Sequence, residues 1–515
     1  MSDNFSNSQV VRKRVVPTRG GVVAAQHKRA AEVGAAILEA GGDAIDAAVA
    51  TSFAIGVVEP WMSGVAAGGC MVLWRAAEGK AYVVDYGMRS PGSLNPSAYP
   101  IVGGEAPDLF AWPRVKDDRN VQGATAVAVP GLVAGMGLAH ERFGRLPWRD
   151  LVAPAAQLAK EGMLLDWFGG LQIASNARFL ALDKDAAALF LEEGKWAPIS
   201  GWTALTEKRL EQDGLASTLE AISREGANAV YGGDVGAAIA KDVQAKGGCL
   251  AVSDLEAYRA HFAEPIEVPY HGGRIFAAPG MTGGPALASS LKKLSETANP
   301  SYVDYARVLE QAWRERLQAS GDRESCTTHF SVADRHGNLC AATQTLLSIF
   351  GSRVVSPSTG VLLNNGIMWF DPQPGKPNSL APDKRCLGNY CPVIGETPKG
   401  ERFALGASGG RKIVGTVLQI SAFLIDDGAS LEEAFHRPRI DMSGMDQVLA
   451  DVSLPPNELK KLEAAFPVTL ARRLPFPYHF AVPAGVLRTG NQNMGCTETL
   501  SPWGDAVAEK NSNGQ

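Results

Sequence analysis

Residues 327–345 constrain what this chain can fold into more than any other stretch. Thr327 and Thr328, both β-branched, lead into His329-Phe330-Ser331-Val332-Ala333, where polar and apolar side chains alternate as in a strand. His336-Gly337-Asn338 supplies a turn, and residues 339–345 return as a second strand, so the segment reads as a β-hairpin. Its first residue also carries chemistry. A threonine hydroxyl is a weak nucleophile at its free pKa. Chain cleavage that exposes an α-amine on the same residue gives it a base. Thr327 follows a polar stretch, residues 321–326, which reads as a cleavable loop.

Composition mostly excludes. The chain has 515 residues, 45% hydrophobic and 20% charged, enough apolar material for a well-packed core. A formal net charge of −5 favours neither nucleic acid nor a membrane surface as partner. The first residues lack the apolar core of roughly 7–15 residues that a secretory signal needs, and Arg12-Lys13-Arg14 reads as a solvated basic run. No stretch approaches the roughly 18 apolar residues of a membrane span. A cytoplasmic protein is the expectation. Seven scattered cysteines, an odd number, argue against a disulfide framework. Cys386 and Cys391 have no second pair at zinc-ligand spacing, and the eight histidines form no HxH or HExxH pattern. Neither a metal nor another cofactor is expected. No linker-like run, low-complexity block or repeat with a period of about 20–50 residues divides the chain.

Upstream of the hairpin, residues 22–26 predict a strand and 28–40 a helix stopped by Gly41-Gly42. Asp43 can cap a second helix over 44–57, which is apolar nearly all round and therefore expected to be buried. A loop of small residues, 63–70, leads to strands at 71–75 and 81–86. Residues 130–240 are mostly helical, with segments at 130–143, 148–161 and 215–225 punctuated by Pro and Gly. Strands follow at 266–270 and 275–278, and a Gly-rich strand-turn-helix spans 403–424. Clustered strands and helices, with several strands expected to be antiparallel, point to a layered α/β architecture, not a barrel or doubly wound sheet.

In their order and spacing these segments resemble the γ-glutamyltranspeptidase family of N-terminal nucleophile hydrolases, over residues 22–502. The matching pieces lie at 35–49, 129–135, 248–258, 327–331, 336–338, 360–365 and Gly406-Ala407-Ser408-Gly409-Gly410. The resemblance implies an α/β fold of four layers, αββα. It also implies one precursor that cuts itself between Cys326 and Thr327, leaving a large chain of residues 1–326 paired with a small chain of 327–515 as a heterodimer. Whether that pair dimerises again stays open. Thr327 would be the nucleophile and its new α-amine the base. Thr345 matches the family's second threonine, which hydrogen-bonds the nucleophile. Gly409 and Gly410 match the glycine pair whose N–H groups form the oxyanion hole, where backbone donors must come within about 2.7–3.1 Å of the developing charge.

The departures from the family lie in the substrate pocket. Members that act on γ-glutamyl groups hold the α-carboxylate and α-amine with an arginine, Asn, Gln, Asp and a Ser-Ser pair. At those places this chain has Gly87, Leu347, Gly366, Trp369 and Gly388-Asn389. Without the Asp and Gln a buried ammonium has no partner, and an unpaired buried charge is strongly unfavourable. Arg89, two residues beyond Gly87, and Arg411, directly after the glycine pair, are candidate carboxylate anchors through bidentate contacts. Residues 374–382 form a stretch shorter than the family's lid loop, which would leave the pocket open. The expected substrate is a small-molecule amide whose acyl part lacks the α-amino acid head. A true γ-glutamyl hydrolase or transferase is the alternative, and cleavage of a carbon–carbon bond by the same threonine also stays open.

Two further readings compete. Gly406-Ala407-Ser408-Gly409-Gly410 fits the G-x-S-x-G nucleophile elbow of serine α/β-hydrolases, with a strand before it and a helix after it. Asp426, Asp427 or Asp441 and His436 or His479 would complete that triad. The other reading is a precursor that is never cut and serves as a binding protein.

Overall fold

Alternating side chains need two surfaces to bury against, and the strands find them in two stacked antiparallel sheets. The structure, a computed structural model, describes residues 11–105, 112–200, 207–320, 326–444 and 447–510. The first sheet has seven strands, in the order Asp505–Ala508, Val22–Ala25, Cys326–Ala333, Leu339–Leu347, Gly68–Arg75, Lys80–Tyr86 and His261–Ala263. The second has six, in the order Gln492–Thr497, Val482–Thr489, Arg402–Ser408, Val393–Glu396, Gly273–Ala277 and Ile266–Tyr270. Neighbouring strands within both sheets are antiparallel.

Three apolar clusters assign the layers. Val72, Ala341 and Ala333 of the first sheet meet Ile394, Ala404 and Val486 of the second in a core between the sheets. The outward residues of the first sheet, among them Phe330 and Val332, pack under helices that include Lys28–Glu39, Ala44–Val58 and Trp148–Glu161. Those of the second sheet, among them Phe403 and Leu405, pack under Gly284–Leu294, Tyr302–Ser320 and Lys412–Ile425. This is the four-layer αββα arrangement that the family resemblance implies. The period-2 alternation of each strand serves both the inner core and a helical layer.

Helix Ala44–Val58 illustrates how local signals build the layer. Asp43 accepts hydrogen bonds from the amides of Ile45 and Asp46, and Asp46 answers by accepting from the Asp43 amide, which closes a capping box. All of its residues are buried, as its unbroken apolar surface predicts. Its axis ends at Glu59, against the start of the hairpin.

The hairpin is present as Cys326–Ala333 paired with Leu339–Leu347, with Asp334 organising the turn. Two boundaries differ from expectation. The second strand runs on to Leu347 instead of stopping at Thr345. Cys326 opens the first strand instead of ending the preceding loop, because its backbone pairs with Leu347. The rest of that expected loop, residues 321–325, lies outside the described residues.

Candidate active site

Register places the first residues of the hairpin. Cys326 pairs with Leu347 but Thr328 pairs with Gln344, so two residues, Thr345 and Leu346, face Thr327 across a β-bulge. Strand alternation turns Thr327 the same way as His329 and Ser331, toward the second sheet, where the Ser331 hydroxyl donates to the Ala484 carbonyl at 3.3 Å. Thr327 is only 2% exposed. Thr345 is buried beside the bulge, and its hydroxyl accepts the Leu347 amide at 2.8 Å. That bond helps hold Leu347 in a left-handed conformation, φ 91°, which an L-residue with a bulky side chain rarely adopts. Strain of this kind is one way a tight site is held open at a fixed shape.

Strand Arg402–Ser408 of the second sheet packs against the Thr327 strand, with Gly406 against the His329 ring. Gly409 and Gly410 follow with φ of 123° and 62°, both in the region that favours glycine, and helix Lys412–Ile425 starts next. A side chain on Gly409 would come within 2.9 Å of Ala481 Cα. Among the described residues neither glycine's N–H donates a hydrogen bond. A pair of uncommitted N–H groups at the entry of a helix is what an oxyanion needs.

His329 does not act as a base here. Its Nδ1 and Nε2 are engaged by Thr343 Oγ1 at 2.8 Å and Ser331 Oγ at 3.0 Å, and burial lowers its pKa to about 3. The neutral ring stacks against Gly406, which has no room for a side chain, and so it spaces the two sheets.

The expected substrate-pocket residues separate into two groups. Leu347, Trp369 and Gly366 meet in the inter-sheet region. Leu347 and Trp369 are buried in one apolar cluster, and the Trp369 ring lies 5.2 Å from that of Tyr390 in an edge-on contact. The Trp369 indole N–H has no acceptor among the described residues. A Cβ on Gly366 would lie 2.6 Å from Ala128 Cβ, so no carboxylate side chain fits there on this backbone. Gly388 and Asn389 are pinned by Arg316, whose guanidinium donates to the Gly388 carbonyl at 2.7 Å and to Asn389 Oδ1 at 3.1 Å.

The two arginines expected as anchors are already engaged. Arg89 forms an ion pair with Asp383 at 2.8 Å on a partly exposed rim. Arg411 is buried with its guanidinium 5.5 Å from the Trp313 ring and a 2.9 Å hydrogen bond to the Ser443 carbonyl, so it faces the helical layer. Another arginine, missed in the sequence, stands beside Gly87. Arg385 donates to the Gly87 carbonyl and, at 2.7 Å, to Tyr258 Oη, with Asp85 3.9 Å away. It lies 298 residues from Gly87 in the chain, and no local pattern announces it.

The serine-elbow reading is not supported. Ser408 is buried and its hydroxyl accepts the Gln26 amide at 2.7 Å. Asp426 lies past the far end of the helix, about 21 Å along its axis, and is bonded to Tyr270 at 2.6 Å and His271 at 2.7 Å. His436 turns to the Glu432 carbonyl at 2.7 Å, and half-buried His479 turns to the Arg472 carbonyl at 3.0 Å. No histidine hydrogen-bonds to Ser408 among the described residues.

Comparison with known proteins bears on the whole arrangement. The family model described as gamma-glutamyltranspeptidase matches residues 30–317 and 308–466. The chain is 34% identical over 472 residues to the acylase ACY 1 proenzyme of Pseudomonas sp. (strain SE83), covering 82% of this chain and 83% of that one. It is 30% identical over 516 residues to the glutathione hydrolase proenzyme of Bacillus subtilis (strain 168), covering 87% and 85%. Its fold matches that of the cephalosporin acylase from Bacillus halodurans, with a TM-score of 0.85 across 99% of both chains at 23% identity.

Proposed function

The chain belongs to the γ-glutamyltranspeptidase family, and on that premise we propose that it is a self-processing threonine amidohydrolase of the acylase type. The observation that supports this reading is the bulge at Thr327, which sets this residue opposite Thr345 and Leu346, on a strand packed against the one that leads into the Gly409–Gly410 turn.

In the first reaction Thr327 Oγ attacks the Cys326 carbonyl, the peptide C–N bond breaks, and the nitrogen leaves as the α-amine of Thr327. Water then hydrolyses the ester, giving chains of residues 1–326 and 327–515 that stay paired through the hairpin and both sheets. In the second reaction the α-amine takes the Thr327 hydroxyl proton as Oγ attacks a substrate amide. The Gly409 and Gly410 N–H groups receive the oxyanion. The amine returns the proton to the leaving nitrogen, and water activated by the same amine releases the acid.

N-terminal sequencing of the smaller fragment tests the first reaction. It is expected to read Thr-Thr-His-Phe-Ser, and a start elsewhere, or an uncut chain, removes the mechanism.

The acyl group is read from what surrounds the site. Leu347 and Trp369 are buried and apolar, and Gly366 leaves no room for a carboxylate, so an α-ammonium has no counter-charge from these positions. The acylase relative from Pseudomonas supports the same direction. Arg385 does not replace the missing arginine at Gly87, because its guanidinium is committed to the Gly87 and Arg259 carbonyls and Tyr258 Oη, with Asp85 3.9 Å away.

Thr345→Ala is expected to leave folding intact and slow turnover of the cut enzyme. A hydroxyl that orients a nucleophile acts on placement, and an error of about 1 Å costs on the order of a hundredfold. Steady-state rates on purified, cut protein measure this. An unchanged rate assigns Thr345 to the support of Leu347 alone.

A further inference from the structure

Once the chain is cut before it, Thr327 keeps one covalent link, to Thr328. Whatever holds Thr328 therefore sets where the nucleophile stands. Thr328 is fully buried on the helical face of the strand, and two acceptors surround its hydroxyl: Glu59 Oε2 at 2.8 Å and Gln26 Oε1 at 3.3 Å. Gln26 is oriented from its other end. Its amide nitrogen donates to the Val482 carbonyl at 2.8 Å and to Ser408 Oγ at 2.7 Å, so its oxygen must face Thr328. One hydroxyl proton shared between two acceptors bonds each of them only weakly. Both contacts reach full strength together only when Glu59 carries a proton and donates it to Thr328 Oγ1, which frees the Thr328 proton for Gln26.

We propose that Glu59, as a neutral carboxylic acid, is a positioning residue for Thr327. It heads a one-way hydrogen-bond chain through Thr328 and Gln26 to Ser408, tying the nucleophile's strand to the strand that carries Gly409 and Gly410. The inference rests on the reading of Thr327 as nucleophile. Its setting is closed on every side. Gln344, paired with Thr328, is held by Ser52 at 2.6 Å and Ser63 at 2.7 Å. Burial, opposed only by the Thr328 hydrogen bond, pushes the Glu59 carboxyl up to about 8.

The other titratable groups around it are few. His27, next after Gln26, and His329, on the opposite face of the strand, are both lowered to about 3 by burial and stay neutral. Asp46 lies in the first turn of the helix that Glu59 ends, Lys28 and Arg29 are exposed, and residues 60–69 contain no ionisable side chain. The cut itself adds the α-amine of Thr327.

The test uses the full, cut protein and p-nitrophenyl acetate, an activated ester that reports on nucleophile reactivity whatever the natural acyl group. Nitrophenolate release is measured from pH 6 to 10 as the increment over Thr327→Ala. The wild-type rate is expected to rise as the α-amine loses its proton, near pH 7.7–8.0 in free chains, then fall as Glu59 ionises. Glu59→Gln, whose amide still donates to Thr328, should keep the rate within about threefold and lose the alkaline fall. Glu59→Leu should lose on the order of tenfold to a hundredfold, as for a misplaced nucleophile. Thr328→Val removes the same link without touching Glu59, and it stands in should Glu59→Leu fail to fold. The same alkaline fall in Glu59→Gln, or wild-type rates in folded Glu59→Leu or Thr328→Val, overturns the inference and leaves Thr327 as nucleophile. If the wild type neither cuts itself nor exceeds Thr327→Ala, the nucleophile reading falls first.

Discussion

Thr327→Ala is expected to give a single uncut chain on denaturing electrophoresis and to lose hydrolysis by on the order of ten-thousandfold or more, the scale of removing a nucleophile. The loss is double. The same oxygen opens the Cys326–Thr327 bond and attacks the substrate, and without the first reaction the α-amine that serves as base never forms. The fold should survive. The substitution removes a hydroxyl and a methyl at a bulge, while the strand is held by Thr328 through Ala333 and their partners. Thr327→Ser keeps the oxygen and should retain part of both reactions. A normally cut, active Thr327→Ala protein would refute the assignment outright.

The second large effect concerns substrate choice. We expect kcat/KM for glutaryl-p-nitroanilide to exceed that for γ-glutamyl-p-nitroanilide by about a hundredfold or more, the rate equivalent of roughly 3 kcal/mol. The two differ in one α-ammonium. Taking that charge out of water without a counter-charge costs several kcal/mol. Leu347 and Trp369 offer none, and at Gly366 a side chain would collide with Ala128. The oxyanion glycines and both threonines act on the reacting carbonyl and do not discriminate between the two acyl groups. Glutathione and small oxo-acid amides complete the comparison. Robust turnover of glutathione, with saturation in the micromolar range, would mean that other residues rebuild the ammonium clamp. The specificity argument would then be lost while the nucleophile stood.

Much of the fold was legible because its signals are short-range. The capping box at Asp43, the apolar helix behind it, the turn at Gly337 and the alternation of residues 328–333 depend on neighbours within a few positions. The same holds for the turn at Gly409-Gly410, where two consecutive positive φ values demand glycine. Thr327 was visible as a candidate at the head of the hairpin, and Thr345 through the resemblance to the family's second threonine.

The bulge was not visible. A one-residue slip in pairing leaves the pattern of each strand intact and is set by how Leu347 and Thr345 pack under the second sheet. Arg89 and Arg411 illustrate the same limit. As sequence neighbours of pocket positions they had the right reach, but packing sent one to Asp383 and the other to Trp313. Arg385 came to Gly87 instead.

By itself, then, the sequence determined the early strand with its two helices, the hairpin, and a threonine at the hairpin's head. These follow from backbone preferences and side-chain periodicity, which act locally. Tertiary structure alone decided which buried polar groups meet. Thr328 finds Glu59 across 269 residues and Gln26 across 302, and Gln26 finds Ser408 across 382. A lone glutamate before a proline looks like any solvated residue in the sequence. It becomes a buried, protonated acid only when four layers close over it, because burial disfavours its charge and leaves hydrogen bonding as its remaining means of being satisfied.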